Sequence, residues 1–333
     1  MMSLPSRHTL LMLCGTAMLL LLFVADMMAG GTWIPARQVL AALTGSHPDP
    51  ITARIVIDIR LLKALTALLA GAALTVSGLE MQTLFRNPLA GPYVLGISSG
   101  ASLGVALFIL GAPLIGLGGA LNALGLAGAA WLGSAAVIVI ILAVARRIRD
   151  IMVLLILGMM FSSGVAAIVQ ILQYLSDEQA LRSFVIWTMG SLSDVTAPQL
   201  LMLAPAVALG LILALVCVKP MNMLLLGEDY ALTMGLRVRR TRVLLMLSTT
   251  LLAGTVTAFC GPIGFIGLAM PHVTRMLLRR ADHRLLAPAC ILTGGCVMLL
   301  CDLVSKLLVL PVNAITALLG IPIVIWVVLK NSR

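Results

Sequence analysis

The histidines at positions 8, 47, 272 and 283 show no HExxH spacing, so no helix face carries the paired imidazoles and general base of a zinc hydrolase. Neither a GxSxG nucleophile turn nor a paired-carboxylate motif occurs. No lysine follows a glycine, so the GxxxxGK[ST] phosphate loop is absent and this chain alone builds no ATP site of that kind. Any ATP must be handled by a partner. The cysteines Cys14, Cys217, Cys260, Cys290, Cys296 and Cys301 have no CxxC or CxxH spacing, and most lie in apolar segments. They read as small buried residues. A membrane enzyme is thereby disfavoured, leaving open only a site assembled in space.

The remaining polar groups fall into a few constellations. "LLLGEDYALTMGLRVRRTR", Leu224 to Arg242, places two acids and then four arginines between long apolar runs. Glu228 and Asp229 mark a helix start and Gly235 a break, which suggests two short helices at the membrane surface. Arg239, Arg240 and Arg242 have a bland use as lipid headgroup contacts. The acidic and apolar part needs another reason, and a dock for a soluble partner is the natural one. Arg60 and Lys63 stand three apart and share one side of a helix; Asp302 and Lys306, four apart, are spaced to pair. Glu80 and Asp302 lie inside apolar segments and must find partners there. Met159, Met160, Ser162, Ser163, Gln170 and Gln173 form a polarisable stretch that reads either as a pathway lining or as ordinary packing.

The elements that must position these groups are membrane spans. With 61% apolar and 10% charged residues, the chain reads as an all-α polytopic membrane protein. About ten spans are expected in a single transmembrane domain over 1–333, near 10–29, 64–83, 93–111, 119–145, 151–174, 198–218, 243–260, 264–278, 285–304 and 314–329, with a cytoplasmic segment at 219–242. The first span alternatively reads as a signal peptide, although Asp26 and Met27 suit a cleavage site poorly. The net charge of +10 is scattered between spans with few aromatics, so it points to membrane orientation and lipid and not to nucleic acid. A cytoplasmic N-terminus puts 16 of the 22 basic residues inside, among them Arg146, Arg147, Arg149 and Arg333. Both termini are then cytoplasmic.

An internal repeat favours a transporter. "LLAG" at Leu68–Gly71 is followed by Gly78 and Pro88, and "LLAG" at Leu251–Gly254 by Gly261 and Pro271 at identical spacings. Running in opposite directions through the membrane, the two would form an inverted repeat of the kind that opens alternately to either side. That feature alone equally permits an ion-driven secondary transporter.

Several segments in order carry a family resemblance: "IRLLKALTALLAGAALTVSGLEMQTLFRNPLAGPYVLGISSGA", "LLILGMM", "WTMGSL", "GEDYALTMGLRV", "GPIGFIGLAMPHVTR" and "LGIPIVIWVVLK". The chain resembles the FecCD-type permeases of ABC importers for iron-siderophores, haem and vitamin B12. The resemblance implies an inner-membrane permease that binds no cofactor of its own. Its implied partners are a second permease subunit, identical or homologous, two cytoplasmic ATPase subunits that hold the ATP, and an extracytoplasmic substrate-binding protein. It also implies that Gly227, Glu228, Asp229, Tyr230, Ala231, Met234 and Gly235 dock the ATPase, and that Arg60, Lys63 and Lys306 meet acids on the binding protein. "RLLK" and "VLPVN" stand where members often have "RLPR" and "ELPVG". The first departure keeps the charge and loses the arginine fork.

Overall fold

The structure, a computed structural model, describes residues 7–46, 49–112, 125–145 and 151–331. His47, residues 119–124 of the expected fourth span, and Arg146, Arg147, Arg149 and Arg333 lie outside the described residues. All regular structure among the described residues is helical. Helix α1 is Arg7–Met28 and α2 is Ala36–Leu43; α3, Pro50–Arg54, runs through a π-turn at Ile55–Leu61 into α4, Leu62–Leu84. Next come α5, Ile97–Ala106, with a π-turn at Leu107–Gly111, then α6, Gly125–Ala145, α7, Ile151–Leu175, and α8, Glu178–Thr188. The second half holds α9, Ala197–Val216, α10, Val218–Leu224, and α11, Glu228–Thr233. Then α12, Val238–Thr249, passes a π-turn at Thr250–Gly254 into α13, Thr255–Cys260. The chain ends with α14, Ile266–Leu278, α15, His283–Leu308, and α16, Val312–Asn331.

Seven of these segments are long and apolar enough to cross a membrane: α1, α6, α7, α9, α12 with α13, α15 and α16. The other expected spans correspond to α4, to Ile97–Gly111 and to the 13-residue α14. The short α2 and α8 belong to no expected span. Helix α8 starts where Asp177 accepts the Ala180 N–H at 2.8 Å.

An antiparallel pair, α4 and α15, forms the centre. Lys63 near the start of α4 meets Asp302 near the end of α15, and Thr83 near the end of α4 meets His283 at the start of α15. Of the 23 residues of α4, 18 are buried, because its small side chains admit neighbours on every side. Gly71 faces Gly294 so closely that a Cβ on either would strike the other's carbonyl; a Cβ on Gly78 would strike the carbonyl of Gly267 of α14, and one on Gly267 the carbonyl of Leu74 of α4. Gly100 and Gly104 of α5 meet Gly133 and Ala129 of α6 likewise. Glu80, fully buried in α4, accepts the Thr249 hydroxyl at 2.9 Å and so ties α4 to α12. The two "LLAG" copies sit in different local settings. Gly71 and Gly78 are interior to α4, whereas Gly254 closes a π-turn and Gly261 follows α13 with φ +73°.

Candidate functional site

The polar insert between α9 and α12 builds a small projecting element. Gly227 takes φ +110°, a conformation costly for any residue with a Cβ, and lets the chain turn into α11. Glu228 and Asp229 occupy the first turn, where the helix dipole favours negative charge. Gly235, at φ +82°, ends the element: its N–H donates to the Leu232 carbonyl and the Leu236 N–H to that of Ala231, both at 2.9 Å. No atom lies within 4 Å of a Cβ placed on either glycine, so conformation and not space requires them. Ala231 is the buried anchor, while Tyr230, Leu232 and Met234 are more than half exposed. The residues named from sequence, Gly227 through Ala231 with Met234 and Gly235, thus come together in one turn-bounded helix. Leu232 joins Tyr230 and Met234 on the exposed side, and Ala231 faces inward. A second separate helix after Gly235 does not form. Helix α12 begins at Val238 and continues into the span, so Arg239, Arg240 and Arg242 lie on its first turns, where Arg242 pairs with Glu228.

At the opposite end of α4, the basic residues expected to face a partner are turned inward. Arg60 is only 5% exposed, and its guanidinium donates to the carbonyls of Met27 at 2.9 Å, Met28 at 2.7 Å and Thr32 at 2.5 Å. It closes the end of α1, whose last carbonyls have no helical donor. Lys63 pairs with Asp302 at 3.1 Å. Lys306 pairs with Asp26 at 2.7 Å and, as its spacing predicts, with Asp302 at 2.9 Å. Asp26 and Asp302 are fully buried, so the cations must neutralise them. Within the single chain, Lys63 and Lys306 thus answer carboxylates of this chain and Arg60 answers backbone carbonyls. Asp26 was the missing partner, and the signal was an acid at the end of an otherwise uncharged apolar span.

On α7, Leu154, Gly158, Val165 and Val169 turn inward, and Gly158 lies against the backbone of Val94 and Leu95. Met159, Met160, Ser163 and Gln170 are exposed on the single chain, with Ser162 and Gln173 half-buried. Both serine hydroxyls donate back along their own helix, Ser162 to Gly158 at 2.9 Å and Ser163 to Met159 at 3.1 Å. Neither cross-links helices. A cavity of about 400 Å³ lies elsewhere, between α6, α9 and α13, against Trp131, Met202, Thr255 and Phe259. Among the described residues no group of three or more His, Cys, Asp and Glu is placed to hold a metal ion.

Close-packed glycine-rich spans, charges neutralised inside the membrane region and an exposed helix set between two spans define a polytopic membrane permease. The chain belongs to the FecCD transport family, matching it over residues 18–330. It is 39% identical over 286 residues to the hemin transport system permease protein HmuU of Yersinia pestis, covering 83% of this chain and 84% of the relative. Over 329 residues it is 38% identical to the vitamin B12 import system permease protein BtuC of Escherichia coli O6:H1, covering 97% and 95%. Its fold is similar to that of a metal-chelate type ABC transporter solved in an inward-facing conformation, with a TM-score of 0.83 and 29% identity over 97% of this chain and 99% of that one.

Proposed function

We propose that this chain is the subunit through which an ATP-driven importer passes a metal chelate, an iron-siderophore, haem or cobalamin, across the cytoplasmic membrane. It works beside a second permease subunit, identical or homologous, and two cytoplasmic ATPases supply the energy. An extracytoplasmic binding protein delivers cargo at the end where Arg60, Lys63 and Lys306 form the frame beneath the contact surface. Both termini and α11 face the cytoplasm, and the exposed side of α7, with Met159, Met160, Ser163 and Gln170, is offered to the passage between subunits.

One observation carries the reading: α11 projects Tyr230, Leu232 and Met234 outward between two glycines of positive φ. Clustered exposed apolar side chains beside charge mark a protein contact, and an ion-driven carrier has no use for a rigid dock of this kind. The test is uptake of labelled ferric siderophore, haem and cobalamin by a deletion strain carrying the gene. The wild type is expected to restore one of them. Gly235→Trp combined with Glu228→Lys is expected to abolish uptake and substrate-stimulated ATP hydrolysis together. Undiminished uptake by that variant at normal expression would reject the dock.

A further inference from the structure

Near α11 the end of α4 is held by a chain of hydrogen bonds that runs from the exposed Asp282 through the half-buried Asn222 to the buried His283 and Thr83. The Asn222 side-chain oxygen, on α10, accepts the His283 backbone N–H at 2.9 Å and the His283 Nδ1–H at 2.8 Å. Its amide donates to Asp282 at 2.7 Å, and Asp282 also receives the Arg284 N–H at 3.0 Å as the cap of α15. The Arg284 N–H first, and the Asn222 amide second, hold the Asp282 carboxyl below its ordinary range, so it remains an acceptor. On the other side of the ring, His283 Nε2 lies 2.9 Å from the Thr83 hydroxyl of α4. Beside Thr83, Gln82 donates to the Leu268 carbonyl at 3.0 Å and accepts from Arg275 at 2.6 Å, both on α14. His283 and Thr83 are almost fully buried. Met221 and Leu224 of α10 share one apolar cluster with Ala231 of α11, with Met81 and Leu84 of α4, and with Phe85 just after it.

We propose that Asn222 and His283 are positioning residues that convert displacement of α11 into joint displacement of α4 and α15. The inference rests on the dock assigned to α11 above. Apolar contacts slide at little cost, whereas a buried hydrogen bond fixes its partners within a few tenths of an ångström and is expensive to leave unmade. Asn222 uses its oxygen twice and its amide once, so it follows α15 without a free rotation. The moved pair is already one body, joined by Lys63 and Asp302 at the far end and by the Gly71–Gly294 contact midway.

The experiment uses the full complex in proteoliposomes. Asn222→Asp keeps both acceptor positions for His283 but removes the amide donor and sets a second carboxylate against Asp282. Chelate moved per ATP hydrolysed is expected to fall about fivefold, the scale of the net worth of one hydrogen bond. Adding Asp282→Asn returns an amide to the pair in reversed order while still accepting the Arg284 N–H, and is expected to recover most of the loss. Simple damage to packing would not be repaired by a second substitution. If Asn222→Asp fails to assemble, Thr83→Val against Thr83→Ser tests the same path, with loss only in the first.

A spin label at Leu89, just beyond α4, provides a readout that needs no cargo. Its spectrum should respond to ATP with vanadate in the wild type, not in Asn222→Asp, and again in the double variant. Should no chelate be moved by the wild type while this label behaves as described, the cargo assignment fails and the relay stands. A wild-type ratio in Asn222→Asp, or a double variant no better than the single, overturns the relay.

Discussion

Asp26 is ion-paired with Lys306 alone among the described residues, whereas Asp302 is held by both Lys306 and Lys63, and this asymmetry ranks the two lysines. Replacing Lys306 by methionine strands one buried carboxylate entirely and leaves the other with a single partner. Breaking a buried pair in this way costs about 3–5 kcal/mol. Lys63→Met still leaves Asp302 bound to Lys306 and should cost clearly less. Thermal unfolding of the purified protein in detergent checks the order, and equal shifts would show that the network does not distinguish its members. Arg60→Lys belongs to the same frame. A compact ammonium lacks the planar fork that reaches three carbonyls at once. The local part of this arrangement was legible beforehand, because Asp302 and Lys306 stand four apart on one helix. The rest was not, since Asp26 and Lys306 lie 280 positions apart and nothing in local spacing joins them. A positive charge on the disfavoured side of the membrane reads in the sequence as an offer to a partner, and the fold adds that Lys63 and Lys306 each neutralise a carboxylate inside the chain.

Helix contacts set the next scale, and glycine placement makes them testable. A Cβ on Gly78 would overlap the carbonyl of Gly267, and a backbone atom cannot swing aside as a flexible side chain can. Gly78→Ala must therefore push α4 from α14, at the roughly 1–3 kcal/mol typical of overpacking. At Gly164, on the exposed side of α7, a Cβ meets nothing within 4 Å, so Gly164→Ala should be neutral or gain up to about 1 kcal/mol of helix propensity. Folded yield by fluorescence-detected size exclusion separates the two, and a harmless Gly78→Ala would disprove the close approach. Helix positions were readable from apolar runs: the expected span 198–218 falls on the helix Ala197–Val216, and 285–304 lies within the helix His283–Leu308. The ends were less readable. The expected start of the third span at 93 is four residues early, because Gly96 at φ +77° delays the helix to Ile97. The shortness of the eighth follows from Gly261 and Phe265, both at positive φ, which hold the chain out of the helix until Ile266. Polar joints at helix ends, Gln82 on Arg275 and His283 on Asn222, left no mark in the sequence, because each looks like an ordinary interfacial residue until the fold joins it to its partner.

At the scale of the whole molecule, the two polar assemblies measure the membrane. Lys63 and Thr83, one in each assembly, are twenty residues apart on one helix, about 30 Å at 1.5 Å per residue. That span is the thickness of the hydrocarbon core. The intervening part of α4 carries Glu80 as its only ionisable carboxyl, already bonded to Thr249. The network around Lys306 and the joint around Asn222 therefore sit at opposite faces, and the elements attached to them must do so too. Helix α2 follows the turn closed by Arg60, while α11 follows α10 with its Asn222. In a Cys14→Ser background, a cysteine at exposed Gln38 should react with a membrane-impermeant maleimide in intact spheroplasts and stay silent in inverted vesicles. A cysteine at exposed Asp229 should do the reverse if α11 is the proposed dock for a cytoplasmic ATPase. Reaction of both from the same side would break the measured separation. Reaction of each from the wrong side would keep the fold but invert it, placing α11 where no ATPase is available and removing the physical basis for reading it as a dock.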